Sequence, residues 1–283
     1  MRILVTGATG SVGSHLVSRL FKRKDTIRLF VRQPEKVEKF REQGAEVIVG
    51  DLGQPETLVP AVADVDAIIH LAAFFRGATP EEAKAVNQDG TLTLAQEALR
   101  AKVTRFVFVS TGLVYGPGLD HPANESDLPN PITPYPISKF EAEQALMELY
   151  QTHNLGLRIL RLSFVYGEGD PHLADGMRWF RNWHPQRQFQ LVHHADVAQA
   201  IMLATYTSGI DGEIYNVANE EPTTMDEIIK ANGEQVAEDA FNYPLNPPND
   251  PINVSMSTVK IRRELGFKSQ YPTLQDAIDR NVL

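Results

Sequence analysis

Short apolar runs alternate with amphipathic stretches over the first two-thirds of the chain. The runs Ile3–Thr6, Ile27–Val31, Glu46–Val49, Ala67–His70, Phe106–Ser110 and Leu157–Leu162 read as strands. Between them, apolar residues recur at helical spacing over 11–23, 34–43, 55–63, 81–101 and 134–153. Alternation of this kind predicts an α/β fold with a parallel, doubly wound sheet. Right-handed crossovers then place helices on both faces. Ligands of such sheets bind at the carboxyl ends of the strands. Candidate chemistry is therefore sought just after residues 6, 31, 49, 70, 110 and 162.

The pattern loosens after residue 165. Gly167–Pro171 reads as a loop, 195–207 as a helix on the sheet, and Tyr215–Ala218 as a short strand. Helices are expected over 224–232, 258–265 and 273–280, with a proline-rich irregular connection over 242–251. This predicts a Rossmann-like domain over 1–165, with 195–208 packing back on it. A smaller lobe, built from 166–194 and 209–283, would bind substrate.

Composition narrows the class. With 283 residues, 42% apolar and 22% charged, the chain can bury a large core as a soluble globular protein. A net charge of −9 without a basic block gives no electrostatic support for nucleic-acid binding. The longest apolar runs are too short to span a membrane. There is no cysteine, which excludes disulfides and thiolate catalysis. The first strand begins at the N-terminus and leaves no room for a signal peptide, so a cytoplasmic location is expected.

The first strand runs into Gly7-Ala8-Thr9-Gly10-Ser11-Val12-Gly13 and then a helix. Gly7 permits a tight turn, Gly10 admits close backbone approach by a pyrophosphate, and Gly13 lets helix pack on strand. Thr9, Ser11 and Val12 would present the amides of a helix N-terminus to the anion. The spacing is GxxGxxG, and a ligand-free glycine turn remains the plain alternative. After the second strand, where an acid would bond a ribose 2′-hydroxyl, the chain has Arg32. Arg32 is either a partner for a 2′-phosphate, which favours NADP over NAD, or a solvated strand-end arginine. Arg28 on the same strand reads as solvated structure. Asp51 and Leu52 after the third strand could meet an adenine, or Asp51 could cap the next helix. Leu71, Ala72 and Ala73 are small or apolar positions beside which a cofactor could run. His70 reads as a histidine held by local hydrogen bonds.

Tyr135 and Lys139 stand at i and i+4 on the helix over 134–153, so they project from one face. Thr133 and Pro134 read as its N-cap and first residue. A free phenol has a pKa of about 10, and a nearby ammonium lowers it. The pair can make a general acid/base. Ser110-Thr111 ends the fifth strand, where a hydroxyl can steady a substrate oxygen.

In this order the motifs resemble the extended short-chain dehydrogenase/reductases, the NAD-dependent epimerase/dehydratase family. Gly7/Gly10/Gly13, His70–Ala73, Ser110–Gly116, Tyr135/Lys139, Arg161–Gly167, His193–Ala198 and Tyr215–Ala218 carry the resemblance, which spans nearly the whole chain. It implies Thr111 as the catalytic hydroxyl, Tyr135 as the acid/base, and Lys139 as the residue that holds the nicotinamide ribose. It also implies a cofactor contact at Leu162 and one at Asn87, the latter with a helix-surface amide as its alternative. A homodimer through the helices at 81–101 and 134–153 is a further expectation.

Departures from the family bear on substrate. Dehydratases carry an acidic pair after the threonine, where this chain has Gly112 and Leu113. Epimerases carry asparagine at Phe164 and Arg-Asp at Phe189 and Gln190; Arg187 could compensate. Trp179 and Trp183, at i and i+4, would share a helical face and line an apolar substrate pocket with Phe74 and Phe164, or serve as lobe packing. Arg178 and Arg181 read as a solvated face. His193 and His194 lack a third ligand at recognisable spacing, so no metal is expected. The reading is an NAD(P)-dependent oxidoreductase acting on a small or apolar carbonyl compound. The alternatives are an NAD-dependent nucleotide-sugar epimerase and a non-catalytic NADP(H)-binding sensor.

Overall fold

The structure is a computed structural model that describes residues 1–75, 77, 79–247 and 249–283. Strands β1 (Arg2–Thr6), β2 (Thr26–Val31), β3 (Glu46–Val49), β4 (Ala67–His70), β5 (Arg105–Thr111) and β6 (Leu157–Leu162) fall where the apolar runs predict them. The short strands β7 (Phe164–Tyr166), β8 (Gln188–Phe189) and β9 (Leu191–His193) follow, then β10 (Glu213–Val217) and β11 (Thr223–Thr224). Seven strands make one sheet in the order β10-β6-β5-β4-β1-β2-β3. Its sequence reverses direction at β1, the switch point where open α/β sheets bind ligands. Thr6 pairs with Phe30 and with His70, and His70 with Phe108. The carboxyl ends of β1 and β4 therefore finish level, β2 runs one residue further, and Thr111 lies three residues beyond that line.

The helices around these strands are α1 (Ser11–Leu20), α2 (Glu38–Glu42), α3 (Pro55–Val62), α4 (Pro80–Lys84), α5 (Gly90–Arg100) and α6 (Pro134–His153). Later come α7 (His172–Phe180), α8 (His194–Tyr206), α9 (Met225–Ala231), α10 (Val259–Leu265) and α11 (Leu274–Asp279). Where one helix was expected over 81–101, α4 and α5 are joined by a π-helical turn, Ala85–Asp89, that contains Asn87. Such one-residue insertions concentrate at functional sites. The stretch over 34–43 opens as a tighter turn, Pro34–Val37, before α2.

The chain divides into two compact units. The first comprises 1–111, 133–161 and 198–214; the second comprises 112–132, 162–197 and 215–283. Residues 112–132 thus group with the second unit, although the sequence pattern places them with the sheet. The first unit's core includes Leu4, Ile68, Leu94, Phe106, Phe108 and Leu146. The second unit's includes Tyr166, Met177, Phe180, Phe189, Leu191 and Ile228.

Two local expectations fail for physical reasons. Arg28 is not solvated. Its guanidinium bonds Glu46 at 2.8 Å and the carbonyls of Ala61 and Ala63 at 3.0 and 2.6 Å, where α3 leaves its last acceptors unpaired. Trp183 does not continue the helix of Trp179. Helix α7 stops at Phe180, and Pro185 disfavours helix in the residue before it.

Candidate active site

The turn after β1 is shaped by what cannot fit there. A Cβ on Gly7, whose φ is +73°, would lie 2.6 Å from the amide nitrogen of Ala72. One on Gly13 would lie 2.2 Å from the carbonyl oxygen of Gly7. Gly10 meets only the Gly7 oxygen, at 3.3 Å. Backbone packing therefore demands the outer two glycines, while Thr9, Gly10 and Ser11 are exposed at the start of α1. An exposed helix N-terminus on a level strand edge fits a pyrophosphate.

The loop after β4 is fixed by a chain of hydrogen bonds. The Ala72 amide donates to Thr6 Oγ1 at 3.2 Å, and Thr6 Oγ1 lies 2.6 Å from His70 Nδ1. His70 Nε2 lies 2.8 Å from Thr91 Oγ1, which itself donates to the Asn87 carbonyl at 2.7 Å. A hydroxyl has one proton, so Thr91 must accept from His70. The histidine is then the Nε2–H tautomer, and neutral. Burial first, and the Lys139 charge second, push its pKa down to about 3. His70 is held by local hydrogen bonds, as its setting in the sequence suggests.

Asn87 is fully buried and is no surface amide. It accepts from the Phe74 amide at 2.7 Å and donates to the Phe74 carbonyl and Ser138 Oγ, both at 3.0 Å. It braces the end of this loop against α6, one residue from Lys139. Ser138 in turn bonds the Tyr135 carbonyl at 2.8 Å.

Helix α6 opens with Pro134 and Pro136, whose missing amides fall where a helix has none to satisfy. Thr133 occupies the N-cap position but its hydroxyl makes no capping bond. Tyr135 is half-buried, with Phe75 edge-on at 4.7 Å between ring centroids. Burial pushes its phenol pKa up, opposite to the direction expected from Lys139 alone. Lys139 is fully buried. Its Nζ stands 3.9 Å above the Phe108 ring and has no hydrogen-bond partner among the described residues. Burial pushes its pKa down to about 7, against the opposing pull of Glu143.

Thr111 ends β5, 8% exposed. Its neighbour Ser110 donates to Glu143 Oε1 at 2.5 Å. Arg161 of β6 grips the same carboxylate, with Nη2 2.6 Å from Oε2 and Nε 3.2 Å from both oxygens. The sequence reading missed this pair. Its signal was present: Tyr135, Lys139 and Glu143 repeat at i, i+4 and i+8, and the otherwise apolar strand Leu157–Leu162 carries Arg158 and Arg161. A buried charge of that kind needs a partner.

Arg32 is 78% exposed and lies 3.9 Å from Asp51. Asp51 accepts from the Gly53 amide at 2.8 Å, while Leu52 is 7% exposed and part of the core. Leu71 and Ala72 are half-buried, Ala73 exposed, and Leu162 6% exposed at the end of β6. Ser163, which follows Leu162, has a buried hydroxyl without a partner among the described residues.

The second unit holds most of the expected substrate residues, but not together. Phe164 packs on Phe189 at 5.2 Å, and Trp183 on Phe180 at 5.0 Å, in one aromatic cluster. Trp179 is 44% exposed with Arg178 stacked on it, while Phe74 belongs to the first unit. Arg187, 3% exposed, lies 3.9 Å over Trp183 and is ion-paired with Asp250. Gln190 accepts from the Met256 amide at 2.5 Å and donates to its carbonyl at 3.0 Å. A Cβ on Gly112 would lie 2.4 Å from the Met256 sulfur.

The chain belongs to the NAD dependent epimerase/dehydratase family, whose model matches residues 3–218. Its members are the extended short-chain dehydrogenase/reductases, nicotinamide-dependent enzymes. A ketoreductase of 4-hydroxy-2-methyl-3-oxo-4-farnesyl-3,4-dihydroquinoline-1-oxide from Stigmatella aurantiaca is 32% identical, over 80% of this chain and 70% of its own. The UDP-glucose 4-epimerase of Thermus thermophilus, solved with NAD, superposes with a TM-score of 0.81 at 27% identity, covering 98% and 96% of the two chains. A dTDP-glucose 4,6-dehydratase of Streptomyces venezuelae, solved with NAD, gives 0.83 at 25% identity, covering 99% and 95%. Among the described residues no helix is long and apolar enough to cross a membrane, and no cluster of metal-ligating side chains occurs.

Proposed function

We propose that the protein is an NADP-linked reductase of a small or apolar carbonyl compound. The observation that carries this reading is Lys139, a buried ammonium with no acceptor among the described residues, one helical turn from Tyr135. A polar group buried without a partner costs stability, so such a group is kept for a ligand. Lys139 would hold the ribose hydroxyls of the cofactor, with the glycine turn on its pyrophosphate. A bound nicotinamide supplies or accepts hydride at a ring carbon.

The side chains do the proton work. Burial keeps the Tyr135 phenol protonated at neutral pH, so it is set to donate. In the reducing direction Tyr135 gives its proton to the substrate oxygen, which Thr111 holds by a hydrogen bond. The Lys139 charge stabilises the phenolate left behind. Solvent then returns the proton to Tyr135.

Arg32 supports NADP, because it is exposed just after β2 and its contact to Asp51 is loose. A guanidinium there suits a 2′-phosphate, and no carboxylate replaces it. The second unit supports an apolar substrate. Arg187 is already neutralised by Asp250, and Phe164 is packed in an aromatic cluster, so neither offers a diphosphate a partner. The Met256 side chain occupies the space beside Gly112 where a dehydratase would carry an acid. The Stigmatella relative, named for a farnesylated ketone, is of the same substrate class. The test is a panel of apolar ketones and nucleotide sugars with NADPH and NADH. Oxidation of NADPH by ketones is expected. Sugar interconversion with no cofactor added would instead make the protein an epimerase.

A further inference from the structure

We propose that Glu143, gripped by Arg161, is a positioning residue that holds Lys139 in its charged form; this rests on the reading of Lys139 given above. Three elements converge on the Glu143 carboxylate. Helix α6 carries it one turn beyond Lys139, β5 sends Ser110, and β6 sends Arg161. The carboxylate is 3% exposed, so water screens it little.

The groups facing Lys139 can be taken element by element. On α6 they are Tyr135, one turn before it, and Glu143, one turn after. From β4 comes His70, which is neutral. From β5 comes the Phe108 ring. Arg161 of β6 joins the set through Glu143, on which it makes three contacts. Glu143 is thus the one anion in this set. Without it, this set would hold positive charge alone, and a guanidinium does not lose its proton. Lys139 would lose its own, and with it the charge that Tyr135 needs.

The test is a pH titration of the Lys139 ε-carbon by NMR in the full chain, without cofactor. Lysine is labelled with carbon-13, and the signal is assigned by its loss in Lys139→Arg. Glu143→Gln should lower the Lys139 midpoint by about one pH unit or more, a tenfold change in its proton affinity. The charge-neutral Glu143→Gln/Arg161→Gln should lower it too, by less, and it carries the test where the single variant does not fold. A purely structural role would loosen the site, hydrate Lys139 and raise the midpoint. A midpoint unmoved or raised in these variants overturns the proposal. Because no turnover is measured, a wild type that reduces no ketone would sink the functional reading and leave this result to stand or fall separately.

Discussion

Among the described residues, each unit buries a cation over an aromatic ring at the same distance. In the first, Lys139 lies 3.9 Å above Phe108 and has no hydrogen-bond acceptor among the described residues. In the second, Arg187 lies 3.9 Å above Trp183 with the Asp250 carboxylate against it. Burial pushes both pKa values down, and a carboxylate, Glu143 or Asp250, opposes it in each case. The outcome differs with the chemistry. An arginine keeps its charge and needs a permanent partner, so Arg187 reads as architecture. A lysine shifts readily, and Lys139 sits near 7, where a ligand or a neighbouring charge can tip it. The difference teaches which buried charge is offered to chemistry and which is spent on the fold.

The sharpest way to break this comparison is to test where turnover depends on it. Tyr135→Phe should cut ketone reduction about a thousand-fold while leaving NADPH binding intact, since proton transfer is lost and the cofactor contacts are not. Steady-state kinetics beside fluorescence titration of NADPH would check this. Arg187→Met should leave kcat within a few-fold but destabilise the fold by about 3 kcal/mol, because Asp250 is then buried unpaired. Urea denaturation measures that loss, and Arg187→Met/Asp250→Leu should recover most of it. Selective loss of nucleotide-sugar binding in Arg187→Met would reverse the roles assigned to the two cations.

Lys139 also predicts a pH dependence. The unfolded chain holds this proton up to the ordinary 10.5, and the folded chain only up to about 7. Between those values the unfolded state binds more protons, so stability rises with pH through the window and is lost as pH falls toward 7. Lys139→Met should therefore be more stable than wild type at pH 6, by about 2 kcal/mol or more. The gap should narrow steadily from pH 7 to 9. A constant gap across that range would mean that the ammonium is not strained in the free chain.

The smallest expected effect lies at the exposed end of β2. Arg32→Ala should weaken NADPH binding about tenfold, the value of one charge-assisted contact of about 1.4 kcal/mol, and leave NADH binding unchanged. Calorimetry with both cofactors would show it. Equal weakening of both would remove Arg32 from cofactor discrimination.

Much of this was legible in the chain because it is local. The bounds of β3, β4, β6 and α6 follow directly from apolar runs and helical spacing. So does the common face of Tyr135 and Lys139, which needs only the helical period. What stayed hidden depends on long-range partners. Periodicity assigns a charged residue to solvent, so it hides Glu143 meeting Arg161 and Arg28 capping α3. Asn87 was ambiguous because the π-helical turn rotates it inward, and no spacing rule signals that turn. The packing of Met256 beside Gly112 joins residues far apart in sequence. Substrate class was hard to read for the same reason. It rests on whether Arg187 and Phe164 are free, and their neighbours come from elsewhere in the second unit.

The proposed role of the first unit's Tyr135–Lys139 pair is proton transfer in a nicotinamide-dependent carbonyl reduction. The most direct measurement follows NADPH consumption with a panel of apolar ketones, in wild type and in Tyr135→Phe. Wild type is expected to form the alcohol stoichiometrically, and the variant about a thousand-fold less. Equal rates in the two proteins would contradict it. So would a wild type that ignores every ketone yet epimerises a nucleotide sugar with no cofactor added.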